Sequence, residues 1–502
     1  MPLTAALVGL CSLGQANPAG AGTPAAVPVS GPVSDFAGCN AVTPPPGATL
    51  YPNTEAEPSV ASDGGGNLVA AWQQDEYSTR SARGAESAYS TDNGQHWSEV
   101  DLPFTGCAAN PLHEPSTGRP FDASYDNWVS HGPDGRFYTT ALAGNSSTYS
   151  NAVVAAVSID KGASWQNARV IIDSIQNARG QYKVFNDKAS VTADPARPGT
   201  AYVVWDQLQS PHTFPLYSSV FRGPAMFAET TDGGASWSTP RAIFDPGEKN
   251  QTLGNQVVVV NGVLYDFFDL LSSTGTTAKG GGTSIVSHVA FISSADGGAH
   301  WSPAHVVGDL DTVGVPSTAT GVPVTTGDVV SVSPVFDPAT GGLDVVWQDS
   351  RYSGGQYDEV VMASSRDGGR TWTSPQLVDQ GGAAAFDPAI AVGGDGTVAV
   401  TYYRLESPPA GGSTVPADYW ARQLSPAGTW TSPSAVGGGP FNLAAAPVVE
   451  GGYFLGDYQG LAGGTGGFNA VFVATNCADS SCVDGADPTG VYSATVPLAS
   501  AP

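Results

Sequence analysis

Several acidic side chains stand at the start of segments that the sequence predicts to be apolar β-strands. Glu57, Asp126 and Asp387 each precede such a segment, and Asp187 is followed directly by Lys188. If these strands surround one channel, the four carboxylates converge on its mouth. Carboxylates held close together repel one another, which raises a pKa toward general-acid use or attracts a cation. The alternative interpretation is that each carboxylate only caps a loop by accepting backbone N–H groups.

A second set of polar side chains follows strands that are rich in Trp and Tyr. Arg351 comes two residues after Asp349, and Arg404 ends a strand that contains two tyrosines. In the segment GDYQGL, Asp457 precedes Tyr458. Guanidinium groups beside aromatic rings are suited to binding an anionic sugar.

The strands that position these side chains are marked by a repeated octet. Five copies share the same spacing: Ser or Thr, then Asp two, Gly four and Trp seven residues later, with successive copies 64 to 72 residues apart. Asp accepts backbone N–H groups in a tight turn, Gly supplies a positive φ, and Trp fills apolar space. We interpret these aspartates as structural, because a site repeated around a ring seldom does asymmetric chemistry. They are Asp92, Asp160, Asp232, Asp296 and Asp367.

Each octet ends one strand and starts another, and upstream of it lie an apolar strand, a Gly/Asp turn and a second strand. One repeat therefore comprises four antiparallel strands. Such units begin near residues 55, 114, 184, 250, 328, 384 and 442. Four-stranded units of this length in a closed series are typical of a β-propeller. The sequence therefore predicts an all-β propeller with seven four-stranded blades, or six if the first or last unit is incomplete.

The octets resemble the Asp-boxes, or BNR repeats, of the sialidase superfamily of β-propellers. The resemblance implies a sialidase-like glycoside hydrolase that acts on extracellular glycans, with an Asp acid/base, a Tyr nucleophile and three arginines around the substrate carboxylate. The catalytic candidates that it implies are Asp126, Asp387, Tyr458 and Asp457. The substrate-binding candidates are Arg351, Arg404, Glu57 and Asp349, with Arg80 or Arg119 as the third arginine. The alternative is a non-catalytic propeller that binds carbohydrate or protein, because the Arg-Ile-Pro segment of sialidases is missing before the first octet.

The N-terminal region and the cysteines indicate an exported protein. An apolar run over residues 3–16 predicts a secretory leader within residues 1–30, followed by an arm over 31–54 and the propeller over 55–500; a disordered Ala/Pro-rich terminus is the alternative. Disulfides are predicted between Cys39 and Cys107 and between Cys477 and Cys482, because the second pair is four residues apart and the first brackets the opening unit. A metal site at these cysteines is less favoured, since no CxxC pair accompanies them.

Composition limits the classes of partner. The 502 residues carry a formal charge of -26, which disfavours a nucleic-acid surface. No apolar run after the leader reaches the ~18 residues of a membrane helix. We therefore expect a secreted monomer whose partner is a glycan or glycoconjugate. No cofactor is expected to be required; the metal is unknown, and a structural cation such as calcium stays open.

Overall fold

The computed structural model describes residues 26–175, 184–209, 222–276, 283–315, 320–326, 332–407, 414–464, 466–477 and 488–499. Within these residues the chain forms seven four-stranded antiparallel sheets and one short two-stranded ribbon. Each sheet is one blade, and the strands of blades 1 to 6 follow one another in chain order from the inside of the ring outward. The prediction of an all-β propeller with seven blades is confirmed.

The blades have the following strands, numbered along the chain. Blade 1 contains β2 (Glu55–Ser62), β3 (Leu68–Tyr77), β4 (Ser81–Ser90) and β5 (Ser98–Asp101). Blade 2 contains β6 (Ala123–His131), β7 (Phe137–Asn145), β8 (Ser150–Ser158) and β9 (Gln166–Ile175). Blade 3 contains β10 (Val184–Ala193), β11 (Ala201–Gln209), β12 (Ala225–Thr230) and β13 (Arg241–Phe244). Blade 4 contains β14 (Asn250–Val260), β15 (Val263–Thr276), β16 (Thr283–Ser294) and β17 (His305–Leu310).

The later part of the chain completes the ring. Blade 5 contains β18 (Ser333–Asp337), β19 (Gly342–Asp349), β20 (Glu359–Ser365) and β21 (Gln376–Leu377). Blade 6 contains β22 (Ala385–Val392), β23 (Val398–Leu405), β24 (Pro416–Leu424) and β25 (Ser434–Asn442). After it come a 3₁₀ turn (Leu443–Ala445) and the ribbon of β26 (Val448–Val449) and β27 (Gly452–Tyr453). Blade 7 combines β28 (Gly460–Gly464), β29 (Gly467–Thr475) and β30 (Thr489–Pro497) with the N-terminal β1 (Val27–Pro28).

Blade 7 closes the ring by joining the two ends of the chain. Strand β1 pairs antiparallel with β30, opposite Tyr492 and Ser493. The following residues continue the contact, since Val29 donates a backbone hydrogen bond of 2.8 Å to Val491 and Ser30 accepts one of 2.9 Å from it. Residues 27–30 lie within the span that the sequence assigns to a leader, so the arm of the folded chain begins before residue 31.

Removing this strand should weaken ring closure. A chain that begins at Gly31 loses about four hydrogen bonds of roughly 1 kcal/mol each, together with the burial of Val29. We expect its free energy of unfolding to fall by roughly 2–4 kcal/mol. A chain that begins at Ala26 is the control and should match the full-length chain. Urea unfolding measures the difference, and equal midpoints for the two truncated chains would contradict the assigned closure.

The apolar core lies between neighbouring blades. Trp72, Trp205 and Trp347, each on the second strand of its blade, are fully buried. Trp205, for example, belongs to a cluster that joins Tyr138 and Val157 of blade 2 to blade 3. The strands are rich in Val, Ala and aromatic residues because both faces of every sheet are covered by the adjacent blades.

The octets form tight turns between the third and fourth strands of blades 1 to 5. In the first of them, the Asp92 carboxylate accepts a hydrogen bond of 2.8 Å from Ser90, and the Ser90 hydroxyl accepts one of 2.9 Å from the backbone N–H of Gly94. Hydrogen bonds from His96 hold the pKa of Asp92 down at about 2. The other four octets repeat the Ser or Thr bonds to Asp and Gly. These turns lie at the end of the ring opposite the starts of the first strands, because neighbouring strands are antiparallel.

The N-terminal arm is fastened to blade 1. Cys39 and Cys107 form a disulfide, with their Cα atoms 5.7 Å apart. Cys477 is also disulfide-bonded, and its predicted partner Cys482 lies outside the described residues. Residues 1–25, which hold the apolar run of the predicted leader, also lie outside them. In the part of the chain that is described, no helix is long and apolar enough to cross a membrane.

Candidate active site

A bulge at the start of the first strand aims a polar side chain into the mouth of the ring in several blades. The pairing of β2 with β3 skips residues 57 and 58, and that of β6 with β7 skips 126 and 127. In these bulges Glu57 and Asp126 have φ values of 54°, and Lys188 in blade 3 has 46°. Residues other than Gly rarely adopt a positive φ, and such strain clusters at functional sites. The same bulge in blade 6 carries Asp387, with a φ of 57°.

Side chains from blades 1, 2 and 3 and from the segment just before blade 7 meet at the ammonium group of Lys188. Its Nζ atom lies 2.5 Å from the Asp457 Oδ2 atom, 3.4 Å from Glu57 Oε1 and 3.5 Å from Asp126 Oδ1. The Lys188 side chain is only 10% exposed. The backbone N–H of Asp457 also donates a hydrogen bond of 3.1 Å to Glu57 Oε1. One buried cation is thus shared by three carboxylates from separate parts of the sequence.

Arg80 supplies a second positive charge at the rim. Its NH1 atom lies 3.3 Å from Asp457 Oδ2, and its Nε atom lies 3.1 Å from the half-exposed Glu450 carboxylate. The guanidinium also stands over the Phe454 ring, 5.3 Å from its centre. These ion-pair and cation–π contacts hold the Arg80 guanidinium at the cavity wall.

The charged groups line a cavity of about 170 Å³. Its polar walls include Asp126, Asp187, Lys188, Arg80 and Asp457. Its apolar walls are formed by Tyr125, Phe185, Leu208, Leu253 and Phe454. Two exposed residues, Thr79 and Glu450, lie at its rim. A few charged groups among apolar walls are the usual composition of a small-molecule site.

The carboxyl groups of the cavity have pKa values that are pushed apart. Burial raises the pKa of Asp187 to about 7, and the neighbouring Asp126 carboxylate adds to this shift. Burial also raises the pKa of Glu57 well above its usual value. For Asp126, burial is outweighed by the charge of Lys188 and by hydrogen bonds from Glu57, Lys188 and Asp187, so its pKa is lowered. Neighbouring carboxyl groups of one cavity thus have pKa values shifted in opposite directions, which is typical of groups that act as acid and base.

Two of the predicted catalytic residues, Asp387 and Tyr458, lie outside the cavity wall. Asp387 accepts a hydrogen bond of 3.1 Å from Gln459, and its backbone N–H donates to Gln348. The Tyr458 hydroxyl donates a hydrogen bond of 3.1 Å to the backbone oxygen of Asn127. Burial, together with the nearby carboxylates, raises the pKa of Tyr458 well above its usual value, so the phenol stays protonated.

The predicted arginines do not gather around the cavity. Arg351 is bound by Asp349 of its own blade through two contacts of 2.6 Å, and it also donates to the backbone oxygen of Asp309. Arg404 stands over the Trp420 ring of blade 6, 5.5 Å from its centre. Among the described residues that line the cavity, Arg80 is the only arginine. Arg119 bonds Ser147 on an exposed loop.

Sequence reasoning placed Asp187 and Lys188 at the channel mouth but gave them no role. Their place in the repeat was the available signal, since the segment DKAS occupies the position of YDNW in the preceding unit. Gln73, which donates to Glu57, carried no such signal, because a Gln within a strand reads as an ordinary polar position.

The glycines of the segment GDYQGL have a structural role. A Cβ atom on Gly456 would lie 2.6 Å from the backbone nitrogen of Glu57, and one on Gly460 would lie 3.0 Å from that of Val60. Only glycine allows this approach, which brings blade 7 against blade 1 and delivers Asp457 to Lys188.

Buried acids with raised pKa values make the folded state more stable at low pH than at high pH. The pKa is raised to about 7 for Asp187 and Asp266 and to about 8 for Asp269, in each case chiefly by burial. The unfolded chain releases these protons near pH 4, so the folded state binds more protons between about pH 4 and 8 and loses stability as the pH rises. We expect a lower midpoint of thermal unfolding at pH 8 than at pH 5. A midpoint that rises over this range would contradict the assigned protonation states.

Comparison with known proteins finds no matching family model and no matching curated protein. Similar solved structures include an α-L-arabinofuranosidase of Fusarium graminearum, with 12% identity over 75% of this chain and 96% of that one, at a TM-score of 0.45. A protein of unknown function from Dyadobacter fermentans has 15% identity over 90% and 100%, at 0.46. An intramolecular trans-sialidase of Ruminococcus gnavus has 13% identity over 92% and 99%, at 0.38. Similarity at this level concerns the fold alone.

Proposed function

We propose that the chain is a secreted glycoside hydrolase that removes a terminal sugar from a neutral glycan in this cavity. The observation that carries the proposal is the pair of neighbouring carboxyl groups in opposite states: Asp126, with a lowered pKa, and Asp187, with a pKa of about 7. Hydrolysis of a glycosidic bond needs one protonated and one ionised carboxyl group.

In this mechanism Asp187 donates its proton to the departing glycosidic oxygen as the bond to the anomeric carbon breaks. Asp126 is hydrogen-bonded to Asp187, so the two carboxyl groups act as one acid–base pair, and the water that attacks the anomeric carbon returns a proton to this pair. Lys188 keeps Asp126 ionised, and Asp457 and Glu57 hold Lys188 in place.

The size of the cavity favours a single sugar unit. Its volume of about 170 Å³ holds about six waters at ~30 Å³ each, and it is smaller than the ~300–1,000 Å³ of sites for drug-sized ligands. The aromatic and aliphatic walls can pack on one face of a sugar ring. We therefore expect exo-acting cleavage at a chain end.

The charge of the cavity favours a neutral sugar over an anionic one. Five carboxyl groups line the cavity against the two cations Arg80 and Lys188, namely those of Glu57, Asp126, Asp187, Glu450 and Asp457. Both cations are already paired with carboxylates. A sialidase, the second candidate, needs free arginines for the substrate carboxylate. The sialidase hypothesis rests on the resemblance of the octets to Asp-boxes, whereas the charges of the cavity favour a neutral glycan.

A panel of fluorogenic glycosides tests the proposal. Neutral pyranosides and furanosides and a sialoside are incubated with the wild-type protein and with Asp187→Asn, at equal concentration. We expect release of fluorophore from one class of neutral glycoside by the wild type only. Release from the sialoside alone would support the sialidase instead. No release from any substrate, combined with glycan binding, would favour a non-catalytic propeller.

The pH dependence should follow the two carboxyl groups. Activity requires ionised Asp126 and protonated Asp187, so kcat/KM should be high at mildly acidic pH and fall as the pH rises through about 7. Rates measured from about pH 4 to 9 on the best substrate test this expectation. A rate that keeps rising above pH 8 would exclude Asp187 as the acid.

A further inference from the structure

A separate group of carboxylates lies between the N-terminal arm and the outer edge of blade 1. Carboxylate oxygens of Asp35, Glu86 and Asp101 all lie within 4.8 Å of one another. Glu86 and Asp101 are directly opposite each other on β4 and β5. Like charges at directly opposed positions destabilise a sheet, so this arrangement needs a compensating charge.

The buried member of the group has no partner in the structure. The Glu86 residue is 1% exposed, and within the described residues neither of its carboxylate oxygens accepts a hydrogen bond. Burial raises the pKa of Glu86 well above its usual value, and the nearby carboxylates of Glu99, Asp35 and Asp101 raise it further. No ion pair among the described residues joins these groups to a Lys or Arg. Burying an unpaired carboxylate costs several kcal/mol unless a proton or a cation neutralises it.

The arm is built to hold Asp35 at this place. Phe36 is buried against Gly84, where any Cβ atom would lie 2.1 Å from the ring, and its backbone oxygen accepts a hydrogen bond from Arg83. On the other side of Asp35, Ser34 donates its backbone N–H to Asn53. The exposed Asp35 side chain thus stands over Glu86 with its backbone fixed on both sides.

We propose that Asp35, Glu86 and Asp101 form a calcium site that fastens the N-terminal arm to blade 1. All three side chains offer oxygen ligands, which hard cations such as Ca²⁺ prefer, and no His or Cys is among them. Two Ca–O bonds of about 2.3–2.6 Å span oxygen separations of up to about 5 Å, which accommodates the observed group. Water completes the coordination on the exposed side of Asp35. The site lies outside the cavity and does not depend on the proposed hydrolysis.

Calorimetric titration with CaCl₂ and thermal unfolding in CaCl₂ or in EGTA test the site. For the wild type we expect saturable binding and a higher unfolding midpoint in calcium. Glu86→Gln should weaken calcium binding by more than the ~10- to 100-fold that loss of a second-sphere group typically costs. In EGTA it should be at least as stable as the wild type, because the repulsion is gone. Asp35→Asn, on the exposed side, should also lose the calcium response with no effect on folding.

Glu359→Gln is the matched control, since Glu359 is another buried glutamate on a third strand, that of blade 5. It should keep the full calcium response. A wild type that shows no calcium binding and no shift of its midpoint would overturn the proposal. Binding that persists in both Glu86→Gln and Asp35→Asn would place the ion elsewhere, and an equal response to MgCl₂ would overturn the assignment to calcium.

Discussion

Replacing Lys188 with Met is expected to lower the free energy of unfolding by about 3–5 kcal/mol at pH 7, the usual result of removing one partner from a buried ion pair. The ammonium group is the shared counter-ion of Asp126, Asp457 and Glu57, and these carboxylates are almost fully buried. Without it, the carboxylates repel one another in a medium that screens them poorly. Equilibrium unfolding in urea, followed by tryptophan fluorescence, measures the loss.

Lys249→Met is the matched control for this experiment. Lys249 also has a positive φ, of 66°, but its side chain is exposed. Its substitution should change the stability by less than about 0.5 kcal/mol. At pH 5 the Lys188→Met defect should shrink, because the carboxylates can take up protons instead. A Lys188→Met protein as stable as the control at pH 7 would show that the carboxylates do not depend on this lysine.

Asp187→Asn is expected to lower kcat by about 10²- to 10⁴-fold on the best glycoside, the usual contribution of a general acid. The amide keeps the size of the side chain and can still donate a hydrogen bond to Asp126, but it cannot release a proton. The fold and the ion pairs of Lys188 should therefore be retained. Initial rates under saturating substrate measure kcat, and the unfolding midpoint checks the fold.

Asp266→Asn is the matched control for the acid. Asp266 is also fully buried with a pKa of about 7, but it bonds Asn255 and is not among the residues that line the cavity. Its substitution should leave kcat within about twofold of the wild type, because Asp266 does not line the cavity and so gives no proton to the substrate. Equal losses in the two variants would mean that the effect of Asp187→Asn is a general structural one.

The architecture could be predicted from the sequence because it is repeated. Each octet fixes the turn between the third and fourth strands, and Asp92 and Asp232 accept backbone N–H groups as the spacing implied. The repeat also placed Glu57, Asp126 and Asp187 correctly at the starts of first strands. Strand β1 could not be predicted, because two residues of an Ala/Pro-rich segment carry no strand periodicity.

The partners within the site could not be predicted, because they depend on ring closure. Asp457 reaches Lys188 only when blade 7 packs against blade 1, across a separation of 269 residues. Asp387 shares the bulge of Asp126, yet the neighbouring Gln459 and Gln348 satisfy it. Arg351 follows a strand end as expected, but the nearby Asp349 carboxylate accepts two hydrogen bonds from its guanidinium. Residue type and position in the repeat identified the candidates. Which of them line the cavity depends on the neighbouring side chains that bind the others.

The central claim is that the cavity carboxylates do chemistry, beyond binding a sugar. Two quantities are measured for the wild type and for Asp187→Asn: the Kd of an oligosaccharide that is not hydrolysed, and kcat on the best substrate. We expect Kd to stay within about threefold while kcat falls by about 10²- to 10⁴-fold, because the lost proton acts only in the transition state. A variant that still hydrolyses the substrate at the wild-type rate, or one that loses binding and turnover in equal proportion, would contradict it.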